Sequence, residues 1–204
     1  MRVIAGEYKG RRLKSVPGSN TRPTTDKVKE SLFNIIGPFF EGGVSLDMFA
    51  GSGGLSIEAV SRGIDRAVLF EKNRKALDTI KENIAITKEA EKFTIYAGDA
   101  RKNLRVFAVE NPNIQFALVF LDPPYADEKT VADISEMIAL QLVNEETVFV
   151  CEMAKENTLP EQIGPYVKWK RVVYGTIAIE MFDYNQEGGS HEKKKRYLRG
   201  VLTL

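Results

Sequence analysis

Cysteine and histidine are almost absent from this chain of 204 residues, which has one of each. The single Cys151 cannot form an internal disulfide, and its apolar neighbours indicate a small core residue rather than a nucleophile. Because the one histidine, His191, lies near the end of the chain, we expect no Cys/His metal site and predict no metal. No run approaches the ~20 apolar residues of a membrane helix, and the charged beginning lacks the apolar core of a signal peptide. These absences predict a cytoplasmic protein that binds no membrane.

Charge is nearly balanced overall, at +1, but it is unevenly distributed. Residues 1–30 hold eight Lys/Arg against three Asp/Glu, and residues 186–204 hold five against two, so the stretch between them carries a net −7. A basic N-terminal segment followed by an acidic central segment favours contacts with nucleic-acid phosphates through Lys9, Arg11 and Arg12. The alternative is a charged surface hairpin without a partner.

Hydrophobic periodicity predicts a single α/β domain, and the 43% hydrophobic content suffices for one core. From residue 44 to about 152, helical and strand patterns alternate. The predicted helices lie near 25–40, 54–62, 73–87, 100–109 and 128–141, and the predicted strands lie near 44–48, 67–70, 93–97, 116–121 and 146–152.

Two antiparallel hairpins are predicted outside this alternating region. Residues 166–174 and 176–184 are rich in β-formers and joined through Gly175, which predicts a C-terminal hairpin. Residues 2–5 and 11–16 predict a smaller hairpin at the beginning of the chain.

The most informative motif is Asp122-Pro123-Pro124-Tyr125, which follows the apolar run 116–121. It therefore ends a buried strand at the edge of the sheet where open α/β folds bind ligands. Asp122 and the Pro123 carbonyl can accept hydrogen bonds from both N–H groups of a planar aromatic amine. Tyr125 offers a ring for stacking. Holding both protons frees the nitrogen lone pair for nucleophilic attack. A strand-ending turn with a local side-chain hydrogen bond is the alternative.

Acidic residues follow three earlier predicted strands. Asp47 precedes the glycine-rich turn 50–54. Glycines allow the backbone of such a turn to approach a ligand closely, and the helix that follows presents unpaired N–H groups. Asp47 can accept hydrogen bonds from a ligand ammonium group. Glu71 occupies the position that binds ribose hydroxyls in dinucleotide-type folds, and Asp99 can bind an adenine amine.

A nicotinamide dehydrogenase is the competing interpretation of the glycine-rich turn. Its motif requires glycine at the first, third and sixth positions, but the chain has Gly51, Gly53 and Ser56. No acid or base suited to hydride transfer is evident. NAD binding is therefore the weaker interpretation.

These motifs resemble those of S-adenosylmethionine-dependent amino-methyltransferases that act on nucleobases. The segment 22–34, which begins Arg-Pro-Thr-Thr-Asp, and the opening residues 2–13 resemble the RsmD family in particular. That family methylates the exocyclic N2 amine of a guanine in bacterial small-subunit (16S) ribosomal RNA, and the resemblance covers residues 1 to about 185.

The resemblance implies a class I methyltransferase fold: a Rossmann-like, seven-stranded α/β sheet with a C-terminal antiparallel hairpin. It implies a basic N-terminal β-hairpin arm (1–20), a methyltransferase domain (21–185) and a basic tail (186–204) that departs from the family. We expect a monomer that acts on ribosomal RNA in the small subunit or its assembly intermediate.

The resemblance also implies roles for individual residues. The expected catalytic residues are Asp122, Pro123, Pro124 and Tyr125. S-adenosylmethionine is expected to contact Asp47, Phe49, Ala50, Gly51, Ser52, Gly53, Glu71, Lys72, Asp99, Ala100 and Asp122. The expected substrate-binding residues are Lys9, Arg11, Arg12, Arg22, Thr24 and Asn34, of which Asn34 is expected to support the active site. Motif chemistry leaves open an adenine or cytosine amine of DNA or RNA, or a protein glutamine, as the target. A non-enzymatic RNA-binding module is a more distant alternative.

Overall fold

The computed structural model describes residues 1–18, 25–124 and 129–185, and eight strands of this part form one sheet. The strands are β1 (Val44–Asp47), β2 (Arg66–Glu71), β3 (Phe93–Ala97), β4 (Phe116–Leu121), β5 (Val143–Ala154), β6 (Gln162–Ile163), β7 (Tyr166–Tyr174) and β8 (Ile177–Tyr184). Their order across the sheet is β3-β2-β1-β4-β5-β8-β7-β6.

Five α-helices connect or precede the strands: α1 (Asp26–Ile36), α2 (Gly54–Ser61), α3 (Arg74–Thr87), α4 (Ala100–Glu110) and α5 (Thr130–Ala139). A short 3₁₀ helix spans Ala90–Lys92. Each predicted helix is found. Helix α1 ends four residues earlier than predicted, because Gly37 and Pro38 follow it and proline cannot continue the hydrogen-bond ladder.

The sheet confirms the predicted α/β class. Strands β1 to β5 are mutually parallel where they pair, and β8 pairs antiparallel with both β5 and β7. The two-residue strand β6 adds an eighth strand at the edge beside β7. Sequence periodicity did not predict β6, because two residues are too few to show an alternating pattern.

Apolar side chains pack on both faces of the sheet. On the first face, Leu32 and Phe33 of α1 belong to one buried cluster with Phe120 of β4 and Val150 of β5. On the second face, α4 and α5 cover a cluster that includes Val119 and other alternate strand residues. This alternation assigns each strand residue to a face, which matters for the side chains at the strand ends.

The predicted N-terminal hairpin is present but short: Arg2 and Arg12 form an antiparallel bridge, and the amides of residues 3, 10 and 13 donate to the carbonyls of residues 11, 3 and 1 at 2.9 Å each. Val3, Tyr8 and Leu13 are buried against the first face, so this segment is part of the core. The residue 4 amide donates to both carboxylate oxygens of Glu58 on α2, at 3.1 and 3.0 Å. These contacts hold the N-terminal segment against α2.

A buried ionic cluster supports the same packing. Lys29 of α1 is 1% exposed, and its Nζ donates to the Arg2 carbonyl at 2.6 Å. Fully buried Glu58 accepts from the Arg62 guanidinium at 3.1 Å. Burial lowers the pKa of Lys29, while the charge of Glu58 opposes that shift. The ammonium group of Lys29 therefore interacts with groups inside the fold and is not available to a ligand.

In the described ranges, no helix is long and apolar enough to cross a membrane. The predicted tail (186–204) lies outside the described residues.

Candidate active site

The site lies at the carboxyl edge of the parallel strands, where the chain changes direction across the sheet. From β1 the chain adds β2 and β3 on one side, and it then returns to add β4 on the other side of β1. Such a switch point opens a crevice outside the strand ends. The structure therefore brings the glycine-rich turn after β1 next to the Asp122-Pro123 segment after β4.

The glycine-rich turn is held by backbone hydrogen bonds. Ala50 N donates to the Phe70 carbonyl at 2.9 Å, and Gly51 N donates to Glu71 Oε2 at 2.8 Å. Gly51 and Gly53 have φ values of 58° and 80°, which a side chain rarely adopts. A Cβ added at Gly51 would point into open space, whereas one at Gly53 would meet Leu69 at 3.3 Å. The backbone at Gly51 is thus open to a ligand.

Glu71 joins this turn to the end of β2. Its carboxylate accepts three backbone N–H groups, from Gly51, Lys72 and Asn73. Because a carboxylate has about four acceptor positions, this geometry leaves one for a ligand hydroxyl. Glu71, the predicted ribose-binding residue, therefore also positions the glycine-rich turn. Lys72 contributes its backbone amide to this network, while its side chain is exposed.

Asp47 is the most deeply buried acid of the site, with 2% of its surface exposed. Its Oδ1 accepts one hydrogen bond, from Phe49 N at 3.2 Å. Burial, together with the negative charges of Asp122 and Glu71, raises the pKa of Asp47 to about 8. A cation bound beside it would stabilise the ionised carboxylate.

Asp122 and Glu152 lie side by side on the first face. The parallel register pairs Leu121 with Cys151, so the next residues along the two strands are Asp122 and Glu152. Both line a cleft with apolar walls formed by Leu32, Leu55, Phe120, Val150 and Ile179. Asp122 as a whole is exposed and Glu152 is half-buried. Desolvation by the apolar side chains of the cleft raises the pKa of Asp122 to about 6 and that of Glu152 to about 8, and the charges of Asp122 and Asp47 add to the second shift.

Glu152 is a site residue that the sequence analysis missed. It stands after the apolar run 148–151, at the end of the fifth predicted strand. The rule that identified Asp47, Glu71, Asp99 and Asp122, an acid at a strand's carboxyl end, would have found it.

At the end of β3, Asp99 caps helix α4 by accepting from Lys102 N at 2.9 Å. This hydrogen bond lowers the pKa of Asp99. The neighbouring Gly98 has a φ of 109°, and a Cβ there would also meet open space. Asp99 and Ala100, the first residue of α4, thus border an open position at the same sheet edge.

The remaining predicted cofactor residues lie around the glycine-rich turn. Phe49 and Ser52 are half-buried, and the Ser52 carbonyl accepts from Asn83 Nδ2 at 2.9 Å. Pro123 is buried and Pro124 is exposed. Tyr125 lies outside the described residues.

The predicted substrate residues lie in different surroundings. Lys9 and Arg12 are exposed, whereas the Arg11 guanidinium donates to the carbonyls of residues 86 and 87 at 3.1 and 2.8 Å. Asn34 is exposed on α1. Arg22 and Thr24 lie outside the described residues.

These features fit S-adenosylmethionine. The cofactor carries an ammonium group and a sulfonium, for which buried Asp47 and its acidic neighbours provide negative charge. Glu71 retains an acceptor position for a ribose hydroxyl. The open backbone at Gly51 and Gly98 leaves room for close approach.

Comparisons with known proteins agree with this geometry. The family described as "Conserved hypothetical protein 95" matches residues 1–183. The Bacillus subtilis protein YlbH is 42% identical over 182 residues, which cover 89% of this chain and 98% of YlbH. The Escherichia coli K12 protein named "Ribosomal RNA small subunit methyltransferase D" is 31% identical over 193 residues, 93% of each chain.

A solved structure shows the same arrangement of elements. The Escherichia coli protein YhhF superposes with a TM-score of 0.77 at 30% identity, over 91% of this chain and 98% of that one. Similarity in sequence and in structure thus extends over nearly the whole of these relatives. Taken with the acidic strand ends and the glycine-rich turn, it establishes that the chain belongs to the RsmD family of class I methyltransferases, whose cofactor is S-adenosylmethionine.

Proposed function

We propose that the protein transfers a methyl group from S-adenosylmethionine to the exocyclic N2 amine of a guanine in small-subunit (16S) ribosomal RNA. The observation that carries this proposal is the position of Asp122 and Pro123. They follow β4 at the switch point, directly beside the strand that leads into the cofactor turn. An amine held there would be close to a methyl donor bound at the turn.

The cofactor supplies an electrophilic methyl group, so the chain itself needs only to bind and orient the amine. Asp122 and the Pro123 carbonyl accept hydrogen bonds from the two amine N–H groups, and the lone pair then points away from the base plane. As the nitrogen–carbon bond forms, the methyl–sulfur bond would break, the cofactor would leave as the neutral thioether, and the surplus amine proton would pass to the Asp122 carboxylate or to water. Tyr125 stacks on the base, an interaction worth about 1–3 kcal/mol in single-stranded recognition. Orientation of this kind accounts for much of the rate gain in reactions between two bound substrates.

The target base has to leave its pair or stack to reach this site. A guanine amine in a duplex is engaged in base pairing, so the substrate is an unpaired or flipped-out nucleotide. Apolar walls beside Asp122, including Leu32 and Phe120, limit the access of water to the acceptors once a base is bound. Exclusion of water strengthens the hydrogen bonds that hold the amine.

The choice of ribosomal RNA is supported by the name of the Escherichia coli relative and by the basic N-terminal arm. Within the described residues of this arm, Lys9 and Arg12 are exposed and have no ion-pair partner, so they are available to phosphates. In this proposal Arg22 and Thr24, which precede α1 in the sequence, complete the RNA path, and Asn34 supports the active site.

This substrate implies a cytoplasmic enzyme that meets the small subunit or its assembly intermediate, and we propose that it acts as a monomer. In this proposal residues 1–20 form the RNA-binding arm, 21–185 the methyltransferase domain and 186–204 a basic tail.

The decisive experiment offers the protein labelled cofactor together with naked ribosomal RNA, small subunits or DNA. Digestion and mass spectrometry then identify the methylated nucleoside. We expect N2-methylguanosine from RNA or small subunits. If the label is found on adenine, cytosine or a protein glutamine instead, that group and not guanine is the target. RNA binding without methyl transfer would leave only a binding module.

A further inference from the structure

Glu152 is a second acidic group beside the amine site, and the proposed methyl transfer does not use it. The strand register places it next to Asp122, at the ~4.8 Å spacing of neighbouring strands. Both residues face the same cleft as Phe120 and Val150. If Asp122 holds the exocyclic amine of a base, the ring nitrogen adjacent to that amine would therefore lie near Glu152.

Within the part of the chain that the structure describes, the Glu152 carboxylate has no partner of its own. Among the described residues, no side chain or backbone N–H donates to it, and no Lys or Arg forms an ion pair with it. Fully buried Glu180 of the neighbouring strand β8 differs sharply, because it binds Arg171, Lys168 and Leu159 N. In the same ranges no group of His, Cys, Asp and Glu is arranged to hold a metal ion. Glu152 is half-buried, so water can donate to it in the free protein, and a base that displaces this water has to offer a donor in its place.

The hydrogen-bonding edges of the bases differ at the atom next to the amine. In guanine, N2 lies beside N1–H, so two donors stand together. In adenine and cytosine the ring nitrogen beside the amine is an acceptor, which an adjacent carboxylate would repel. A flipped base is read along this edge. A pair of acceptors on neighbouring strands thus complements guanine and opposes the other two bases.

We propose that Glu152 accepts the N1–H of the target guanine and is the residue that selects guanine over adenine and cytosine. This inference rests on the proposed function, because it concerns the same amine site. It supplies the discrimination that Asp122 and Pro123 lack, since every exocyclic amine can satisfy those two acceptors. Burial and the nearby acids raise the pKa of Glu152 and favour its protonated form in the free protein. The N1–H donor and the cofactor's positive charge act in the opposite direction and restore the ionised acceptor when both ligands are bound.

The test compares two substrates that share the N2 amine. One is a synthetic RNA that contains the guanine methylated by the parent protein, and the other carries 2-aminopurine at that position. 2-Aminopurine keeps the amine, but its N1 is an acceptor. We would measure kcat/KM on both RNAs for the parent, for Glu152→Gln and for a control, Glu146→Gln. Glu146 lies exposed at the other end of β5.

The parent and the control should favour guanine. In E152Q the amide can donate to an N1 acceptor, so the preference should fall by ~10- to 100-fold, which is the effect of one charge-assisted hydrogen bond. An unchanged ratio, even with both rates lowered, would overturn the role of Glu152. If E152Q does not fold, Glu152→Asp, which withdraws the carboxylate by one methylene, should lower methylation of guanine more than methylation of 2-aminopurine. An unchanged ratio of the two rates would overturn the proposal.

Failure of this inference is distinguishable from failure of the proposed function. A parent protein that transfers no methyl group to guanine would refute the proposed function itself. A parent that methylates guanine, with a selectivity ratio unaffected by E152Q, would refute only the assignment of Glu152.

Discussion

Replacing Asp47 by asparagine should make the free protein more stable and cofactor binding much weaker. Asp47 is 2% exposed, and its surroundings raise its pKa from 3.8 to about 8. Asparagine has nearly the same shape, and its Oδ1 can still accept the hydrogen bond from Phe49 N. The substitution therefore removes an unfavourable buried charge and leaves the local hydrogen bond in place.

The magnitude follows from the pKa difference. Because the folded-state pKa exceeds the unfolded one, the contribution of Asp47 to stability is complete below about pH 4 and is lost as pH rises through 8. Each pKa unit corresponds to ~1.4 kcal/mol, so the difference from 3.8 to about 8 sets an upper limit of ~6 kcal/mol. Water that enters the site lowers this penalty, and we expect D47N to gain ~2–4 kcal/mol at pH 8.5.

Urea unfolding of the free parent and variant at pH 4.5, 7 and 8.5 would measure this gain, with Asp78→Asn on the exposed side of α3 as control. The advantage of D47N should grow with pH, while the control should match the parent. Calorimetry should show cofactor affinity lowered by ~10- to 100-fold, since asparagine carries no negative charge to pair with the ammonium group. Equal stability at pH 8.5, or unchanged cofactor affinity, would refute the assignment of Asp47 as the buried acid that receives the cation.

Other substitutions separate cofactor binding, chemistry and RNA binding. Glu71→Ala should weaken cofactor binding ~10- to 100-fold in calorimetry, because the variant lacks both the ribose acceptor and the tether to Gly51 N; unchanged affinity would remove Glu71 from the pocket. Asp122→Asn should bind the cofactor within a few-fold of the parent but lose most methyl transfer in a labelled-cofactor assay, and activity close to that of the parent would mean that other groups hold the amine. Neutral residues at both Lys9 and Arg12 should lower the slope of log affinity for RNA against log salt by ~0.7–0.9 for each phosphate that these side chains neutralise, without altering cofactor affinity. An identical slope would mean that neither side chain binds RNA.

The sequence predicted most elements because their signals are local. The spacing of apolar residues identified five helices and the main strands to within a few residues. The exceptions lack local signals or carry conflicting ones. The helix pattern beyond Ile36 continued into apolar residues, but Gly37 and Pro38 interrupt it. Strand β6 exists only because Gln162 and Ile163 pair with β7.

The roles of charged residues were harder to predict. Lys29 and Arg11 contribute to the basic count of residues 1–30, but both are engaged within the fold. Their partners lie 27 or more positions away, so the charge pattern alone could not identify them. The substrate-binding assignment of Arg11 stays a prediction, and Lys9 and Arg12 are the stronger members of that set.

By itself, the sequence determined an α/β fold with an acid after each of four predicted strands and the motif Asp122-Pro123-Pro124-Tyr125 after the last of them. These properties follow from periodicity and from residue types at turns, which act over a few residues. Only the tertiary structure decided that Asp47, Asp122 and Glu152 share one face of the crevice. Strand order and register bring them together, and the apolar walls that α1 and α2 add change their protonation. Proximity and desolvation depend on residues distant in the chain, so no local pattern could encode them.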